Sequence, residues 1–250
     1  MTWTLPAEKV SKSLLWLATA LAVSAALRQT GFYNFTAREV EGLNTLIQLV
    51  GDIYAVLLAF TIFVIWGQFT EVENCVMREC NVLDDLLRFS SYLNADASSD
   101  IRRAMGNYVR QLLRYEWPAL GDGLKDKQTD ELFARFMNAV VQAPLKSEEE
   151  RLIYSRLVDM VHEASQRRDE RVAKSLTRIP PTILSLVITI ARVLLLLVFV
   201  YPFHYWLAGA ACLILVAAVL FLANLVMTDT DNPLKGIWNV SPQPFSDLRL

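Results

Sequence analysis

The chain has 250 residues, of which 54% are apolar and 20% are charged, and its formal net charge is −2. Such a mixture is hard to reconcile with a single water-soluble core, so it predicts that charged and apolar residues occupy separate segments. A chain without a basic excess has no field that attracts nucleic acid, which excludes nucleic acid as a favoured partner.

The charges are concentrated in the middle of the chain. Residues 68–179 hold 17 of the 24 Lys and Arg residues and 19 of the 26 Asp and Glu residues. The segments on either side are therefore mostly compatible with lipid, and the lipid bilayer is the first predicted partner.

The first apolar stretch covers residues 13–27, which are uncharged. It is shorter than the ~20 residues that usually cross a bilayer, but Lys12 and Arg28 can extend outward from its ends. We predict a first transmembrane span here. The alternative is a secretory signal peptide, because basic residues precede a short apolar stretch and residues 22–24 resemble a cleavage site.

The second predicted span covers about residues 46–67 and contains one charge, Asp52. Val56, Phe60 and Val64 repeat every four residues and so share one face of this helix. That face either contacts lipid or neighbouring helices, or it forms a hydrophobic constriction that gates ions once several subunits surround an axis.

The charged segment, residues 68–179, is predicted to form a helical bundle, because its apolar residues follow the helical period. The second span continues as a helix to about Asn94. Another helix is predicted from Asp100 to about Trp117, where Pro118 ends it. Further helices are predicted over about 129–142 and from Ser147, which forms a capping box with Glu150.

Two more spans follow, at about residues 182–203 and 206–227, and their two-residue connection predicts a tight hairpin. Arg192 lies near the centre of the first of these, where a charge costs about 2.5–3.5 kcal/mol to insert. Asp52 is its natural partner. Arg192 either forms an ion pair with Asp52 that joins two helices, or attracts anions beside a permeation path.

Basic residues near the span ends predict the orientation. Several Arg and Lys residues lie just before residue 180, whereas the tip of the last hairpin has none, so residues 68–179 and both termini are predicted to lie in the cytoplasm. The predicted fold is an all-α, polytopic membrane protein with four transmembrane helices. Residues 1–67 and 180–227 form two hairpins, the cytoplasmic bundle is inserted between spans two and three, and residues 228–250 form a cytoplasmic tail.

No catalytic or metal-binding pattern is present in the sequence. His162 and His204 are predicted to lie on opposite sides of the membrane, which excludes a histidine-based triad or metal cluster. Cys75 and Cys80 are five residues apart on one helix and therefore point to different faces. We predict no cofactor, no metal site and no enzymatic activity.

Two motifs carry a family resemblance that extends from about residue 45 to the end of the chain. They are Glu116-Trp117-Pro118-Ala119-Leu120 and Asp231-Asn232-Pro233-Leu234-Lys235-Gly236. With them, the chain resembles the bestrophin-like DUF4239 family, which is named for its distant similarity to bestrophins. Bestrophins are pentameric anion channels with four spans per subunit and an apolar neck on the second span.

The resemblance implies a homo-oligomer, with five subunits, in the inner (plasma) membrane of a bacterium. It also implies that Val56, Phe60 and Val64 occupy neck positions and that inorganic anions are partners. The leading hypothesis is a passive, chloride-like anion channel. The alternative is a non-conducting membrane scaffold or sensor that signals through its cytoplasmic helical bundle.

Overall fold

The computed structural model describes residues 19, 22, 23, 25–27, 30 and 32–250. Within these residues the chain forms helices and no strands, which confirms the all-α class. Most of the predicted first span, residues 13–27, lies outside the described residues. A span and a signal peptide therefore both stay predictions for that stretch.

The helices with defined bounds follow one another with short connections. They are α1 (Phe32–Thr36), a 3₁₀ turn (Ala37–Glu39), α2 (Val40–Ser90), α3 (Ala95–Gln111), a π-helical turn (Leu112–Glu116), α4 (Trp117–Gly121), α5 (Lys127–Val141), α6 (Glu148–Leu176), α7 (Pro181–Val200), α8 (Trp206–Thr230) and α9 (Gln243–Ser246).

Three helical stretches of the described chain are long and apolar enough to cross a membrane. They lie in Ala37–Ser90, Glu148–Val200 and Trp206–Thr230. Their apolar segments correspond to the second, third and fourth predicted spans. The first span, and with it the count of four, stays a prediction.

The connection between the last two spans is longer than the predicted two residues. Helix α7 ends at Val200 and α8 begins at Trp206, so five residues join them. The prediction was wrong because it counted apolar residues and ignored Pro202. A proline disfavours helix at the residue before it, and Tyr201 is accordingly extended, with ψ of 131°.

The described chain divides into two compact units. The first contains the described residues up to Ile65 together with Ile179–Thr228, and the second contains Trp66–Arg178 and Asp229–Leu250. Helix α2 supplies residues to both. The last residues of the chain, Asp229–Leu250, therefore fold as part of the second unit.

The first unit has a small apolar core, because many of its described large side chains are exposed in the single chain. Its buried residues include Tyr54, Ile65, Val187, Ala191, Leu220 and Met227. The second unit has a larger core to which all of its long helices contribute, with Leu83, Leu86, Ile101, Met105, Leu112, Phe136 and Leu157 fully buried.

Pro118 does not end the helix that precedes it, contrary to the prediction. The helix widens into a π-helical turn at Leu112–Glu116, where the Trp117 N–H bonds to the Leu112 carbonyl five residues back. Pro118 is the second residue of α4, which continues directly from this turn, and the wider turn makes room for the proline ring beside the preceding carbonyls. The chain turns only after Gly121.

Ser147 is the N-cap of α6, as predicted. Its hydroxyl accepts the backbone N–H of Glu150 at 3.1 Å, and three glutamates occupy the first turn, where the helix dipole favours negative charge. The Glu150 carboxylate reaches back to the N–H of Lys146 instead of the N–H of the cap residue itself. The start of this long helix is therefore set by local sequence.

Candidate functional site

The predicted neck residues lie on, or at the edge of, a face of α2 whose large apolar side chains are exposed in the described part of the chain. Along α2, large apolar side chains are exposed at alternating spacings of three and four residues, namely at Leu46, Leu49, Ile53, Val56, Phe60 and Phe63. We call these six residues the apolar stripe. A spacing of 3.5 residues keeps one face of a helix directed at a neighbour over its whole length.

Two of the three predicted neck residues belong to this stripe. The exposed fractions are 70% for Val56 and 62% for Phe60, whereas Val64 is half-buried at its edge. The opposite face of α2 packs in the first unit through Tyr54, Thr61 and Ile65. Helix α2 therefore has one face inside the subunit and one face outside it.

The structure does not bring Asp52 and Arg192 together in one chain. Both side chains are exposed, and neither forms an ion pair or a hydrogen bond with another described residue. Arg192 lies in α7 next to the buried Ala191, on the outward side of that helix. Both residues are available to partners outside the subunit, and their pairing stays a prediction.

The second unit contains a buried ion network that the sequence analysis missed. At its centre, Arg171 donates from Nε to Glu79 Oε2 at 2.5 Å and from Nη2 to Glu116 Oε1 at 2.6 Å. The side chains of Arg171 and Glu79 have no exposed surface, and that of Glu116 has only 2%. A fully buried guanidinium is tolerated only when it is paired in this way.

The network extends from this centre in two directions. Arg168 Nη2 lies 2.7 Å from both Glu116 Oε2 and Asp130 Oδ1, and Asp130 is half-exposed to solvent. On the other side, the Tyr108 hydroxyl donates to Glu79 Oε1 at 2.6 Å. The bonded atoms come from α2, α3, the π-helical turn, α5 and α6, so one polar cluster fixes five elements of this unit.

Burial and charge pull the pKa of the central groups in defined directions. Burial of the Tyr108 hydroxyl raises its pKa well above the ordinary value, and the neighbouring Glu79 carboxylate raises it further. For Arg171, burial lowers the pKa, but the nearby Glu79 and Glu116 carboxylates outweigh that effect and raise it. Arg171 is therefore a permanent charge, and Tyr108 is a permanent hydrogen-bond donor at neutral pH.

The first family motif lies in this network. Glu116 bridges the two arginines, and the buried Trp117 packs edge-on to Phe245 with ring centroids 6.2 Å apart. Pro118, the third motif residue, is exposed at the start of α4. The acidic residue of this motif, Glu116, therefore has a structural role, since both of its oxygens accept hydrogen bonds inside the unit.

The second motif shapes the turn that follows α8. Gly236 has a φ of +122°, and the Asp229 carboxylate beneath it accepts the backbone N–H groups of Ile237 and Trp238. The carbonyl of the buried Pro233 accepts the N–H of Val240 at 2.7 Å. Asp231 is half-buried in the same turn.

The sequence does contain a signal for the ion network. Along α6 the buried positions alternate by three and four residues, and Arg168 and Arg171 fall on this register together with Leu157, Val161, Ala164 and Ser175. Glu79 falls on the corresponding buried face of α2 between Val76 and Leu83. Charges at core positions of amphipathic helices predict buried pairing.

The comparisons identify the class of protein to which this fold belongs. The bestrophin-like domain matches residues 15–245 of the chain, which is nearly its whole length. The chain therefore belongs to the bestrophin-like family, as its motifs indicated, and it is a membrane protein.

Solved structures of a bacterial bestrophin homolog from Klebsiella pneumoniae share the fold. A tryptophan-to-alanine variant of that homolog has 13% sequence identity and a TM-score of 0.68, with 98% of this chain and 99% of that chain covered. A second structure of the homolog has 12% identity and a TM-score of 0.66, covering 94% and 95% of the two chains. No curated protein matches the chain.

Proposed function

We propose that this protein assembles into a homo-oligomer in the inner membrane of a bacterium, and that its α2 helices line a passive pathway for small inorganic anions such as chloride. By the resemblance to bestrophins, the oligomer has five subunits. Val56 and Phe60 face the pathway as an apolar constriction, and Val64 lies at its edge.

The apolar stripe carries this proposal. Three-residue and four-residue steps place Leu46, Ile53 and Phe60 on the same side of α2 that Val56 occupies. A stripe of this kind is suited to face its own copies around an axis, where rings of apolar side chains exclude water and so control ion passage. Membership of the bestrophin-like family supports the same arrangement.

Arg192 supports the choice of anions. A guanidinium that is exposed in the middle of a predicted span is costly in lipid, so it is expected to face protein or water in the assembly. In either position it contributes positive potential near the membrane centre. Asp52 is proposed to moderate that potential by pairing with Arg192 of a neighbouring subunit.

Chloride flux from proteoliposomes tests the proposal. Vesicles that contain the purified protein should dissipate a chloride gradient faster than protein-free vesicles, and Phe60→Ala should change that rate. Leu215→Ala is the matched control, because Leu215 is 67% exposed and lies on α8, so it is not part of the stripe. It should leave the flux unchanged.

Two outcomes contradict the channel proposal. The first is wild-type flux equal to that of empty vesicles, with the oligomer shown to be intact by native mass measurement; this would favour a scaffold or sensor. The second is an equal effect of Phe60→Ala and Leu215→Ala, which would mean that the stripe has no special role in permeation.

A further inference from the structure

Three side chains of types that can ligate a metal converge in the second unit, and none of them belongs to the ion network. They are Glu71, Cys75 and Glu170, and their ligand atoms lie within 4.8 Å of one another. Glu71 and Cys75 are one helical turn apart on α2, so they share a face, and Glu170 comes from α6. Two helices therefore contribute to one set of oxygen and sulfur donors.

The cysteine of this set is buried and has no partner. Cys75 is 1% exposed, forms no disulfide, and makes no hydrogen bond with another described residue. Its sulfur lies within 4.8 Å of a carboxylate oxygen of each glutamate, and the two glutamate side chains are about one-third exposed. The thiol is thus shielded from solvent, whereas the two carboxylates are accessible to it. An ion can therefore reach the three side chains from the carboxylate side.

Two arginines neutralise the charge of the two carboxylates in the absence of a metal, but their ion-pair distances are long. Arg78 lies 3.3 Å from Glu170 and 3.9 Å from Glu71, and Arg167 lies 3.4 Å from Glu170. The Arg78 side chain is 42% exposed, so it can turn into solvent without losing a buried contact. Arg167 keeps its second partner, Glu163, at 3.2 Å.

We propose that Glu71, Cys75 and Glu170 form a binding site for a thiophilic divalent cation of the Zn²⁺ class. Zinc accepts thiolate and carboxylate ligands together, and three protein ligands leave a fourth position for water. Binding replaces the Cys75 S–H bond by an S–metal bond and releases one proton to solvent. Arg78 leaves the carboxylates as the cation enters.

The required movement is small. Tetrahedral zinc holds such ligand atoms about 3.4–3.6 Å apart, given bond lengths of about 2.0–2.3 Å. The present separations of up to 4.8 Å are therefore closed by side-chain rotation of the two glutamates. The bound ion would tie α2 to α6 just beyond the predicted second span. The site does not depend on ion conduction by the protein.

Cadmium titration of the full-length protein in detergent tests the proposal, because a cadmium–thiolate bond has its own ultraviolet charge-transfer absorption. Wild type should show this absorption with one cadmium ion per subunit, and Zn²⁺ should compete it away. Cys75→Ala should abolish it. Cys80→Ala is the matched control, since Cys80 is also buried on α2 but lies outside the set, and it should retain the signal.

A second pair of variants removes a ligand without touching the core. Glu170→Gln should weaken cadmium binding at least tenfold, whereas Glu163→Gln, which removes a carboxylate from the same surface of α6, should not. The proposal is overturned if wild type shows no thiolate absorption. It is also overturned if the Glu170 and Glu163 variants bind cadmium equally well. Neither result bears on chloride flux.

Discussion

Arg171 and Glu79, which are 92 residues apart in the sequence, form a 2.5 Å ion pair in which neither side chain has any exposed surface. Glu116 occupies the other end of the same guanidinium. Because removing one partner leaves an uncompensated buried charge, loss of either residue should destabilise the second unit strongly.

Arg171→Met is therefore expected to lower the free energy of unfolding by about 3–5 kcal/mol, since it leaves Glu79 buried without a counter-ion and leaves Glu116 with Arg168 alone. Thermal unfolding in detergent, followed by circular dichroism, measures the effect. Arg103→Met is the control, because Arg103 forms an exposed pair with Asp100 and should cost less than about 1 kcal/mol. Equal losses in the two variants would contradict a special role for the buried network.

Tyr108 should make the second unit sensitive to alkali. Burial raises its pKa in the folded protein, and Glu79 raises it further, whereas in the unfolded chain it ionises near its ordinary value of 10.0. The folded state therefore holds one more proton above about pH 10, so stability is complete below that pH and falls as pH rises through the folded pKa.

Tyr108→Phe removes this alkaline loss, although it leaves one oxygen of Glu79 without its donor and costs about 1–3 kcal/mol at neutral pH. Unfolding by urea at pH 8 and pH 11 measures both effects. A wild type and a Tyr108→Phe variant with the same dependence on pH would show that other groups cause the alkaline loss.

The turn after α8 should depend on glycine at position 236. Gly236 has a φ of +122°, and a Cβ there would lie 2.7 Å from Asp229 Oδ1, so Gly236→Ala should cost about 1–3 kcal/mol. Gly123 has a φ of +80° but open space around it, so Gly123→Ala should cost only about 1 kcal/mol.

Gly121→Ala completes this series as the control. Its Cβ would meet Lys235 Cβ at 3.5 Å, an ordinary contact, and its position at the end of α4 is helical. The loss of stability, measured from thermal midpoints, should rank Gly236 first, Gly123 second and Gly121 last. Any other order would show that backbone strain and contact with Asp229 do not set the cost.

Asp126 is the N-cap of α5, where its carboxylate accepts the backbone N–H of Thr129, so it should make the start of this helix sensitive to acid. Burial raises the pKa of this carboxyl, but hydrogen bonds from Thr129 and Gln111 outweigh burial and leave the pKa below its ordinary value. The ionised Asp126 carboxylate therefore stabilises the folded state at any pH above its pKa in the unfolded chain. This stabilisation is lost as the pH falls through the pKa of Asp126 in the folded protein. Asp126→Ala should cost about 1 kcal/mol at neutral pH and should lessen this acid sensitivity.

Hydrogen exchange at the first amides of α5 measures the change, because it reports the opening of that helix end. Asp122→Ala is a suitable comparison, since Asp122 pairs only with the exposed Lys235. Equal exchange in the two variants would contradict the capping role of Asp126.

Charge exchange tests the predicted pairing of Asp52 with Arg192. If the two residues pair between neighbouring subunits, Arg192→Asp should weaken the oligomer, and the double variant with Asp52→Arg should restore it. Native mass measurement of the detergent-solubilised protein reports the assembly. No restoration, together with altered anion preference in flux measurements, would assign Arg192 to the permeation path instead.

Local physics made much of the fold predictable. Helical periodicity marks buried faces, apolar length marks a span, and a serine followed three residues later by glutamate marks a helix start, as at Ser147. The two wrong predictions of helix ends each concerned a single proline. Pro202 ended α7 early, and Pro118 was accommodated by a π-helical turn that a rule for regular helices does not anticipate.

The candidate sites were less predictable. Sequence placed Val56 and Phe60 on one helix face. Only the packed structure shows, for the described residues, that both side chains are exposed while Tyr54 and Ile65 are buried on the opposite face. The spacing of Cys75 and Cys80 predicted that the two thiols do not form one ligand set, and it carried no information about ligands from other helices. The thiol instead meets Glu71 and Glu170, and the latter belongs to another helix.

The amino-acid sequence by itself therefore determined the all-α class, three apolar spans of the described chain, the segregation of charge and the family, because each depends on composition or on contacts within a few residues. Only the tertiary structure decided which charges meet. Arg171 pairs with Glu79 and Glu116 because three helical elements pack at particular angles and offsets. The periodicity of residues along one helix does not encode the distance between that helix and another.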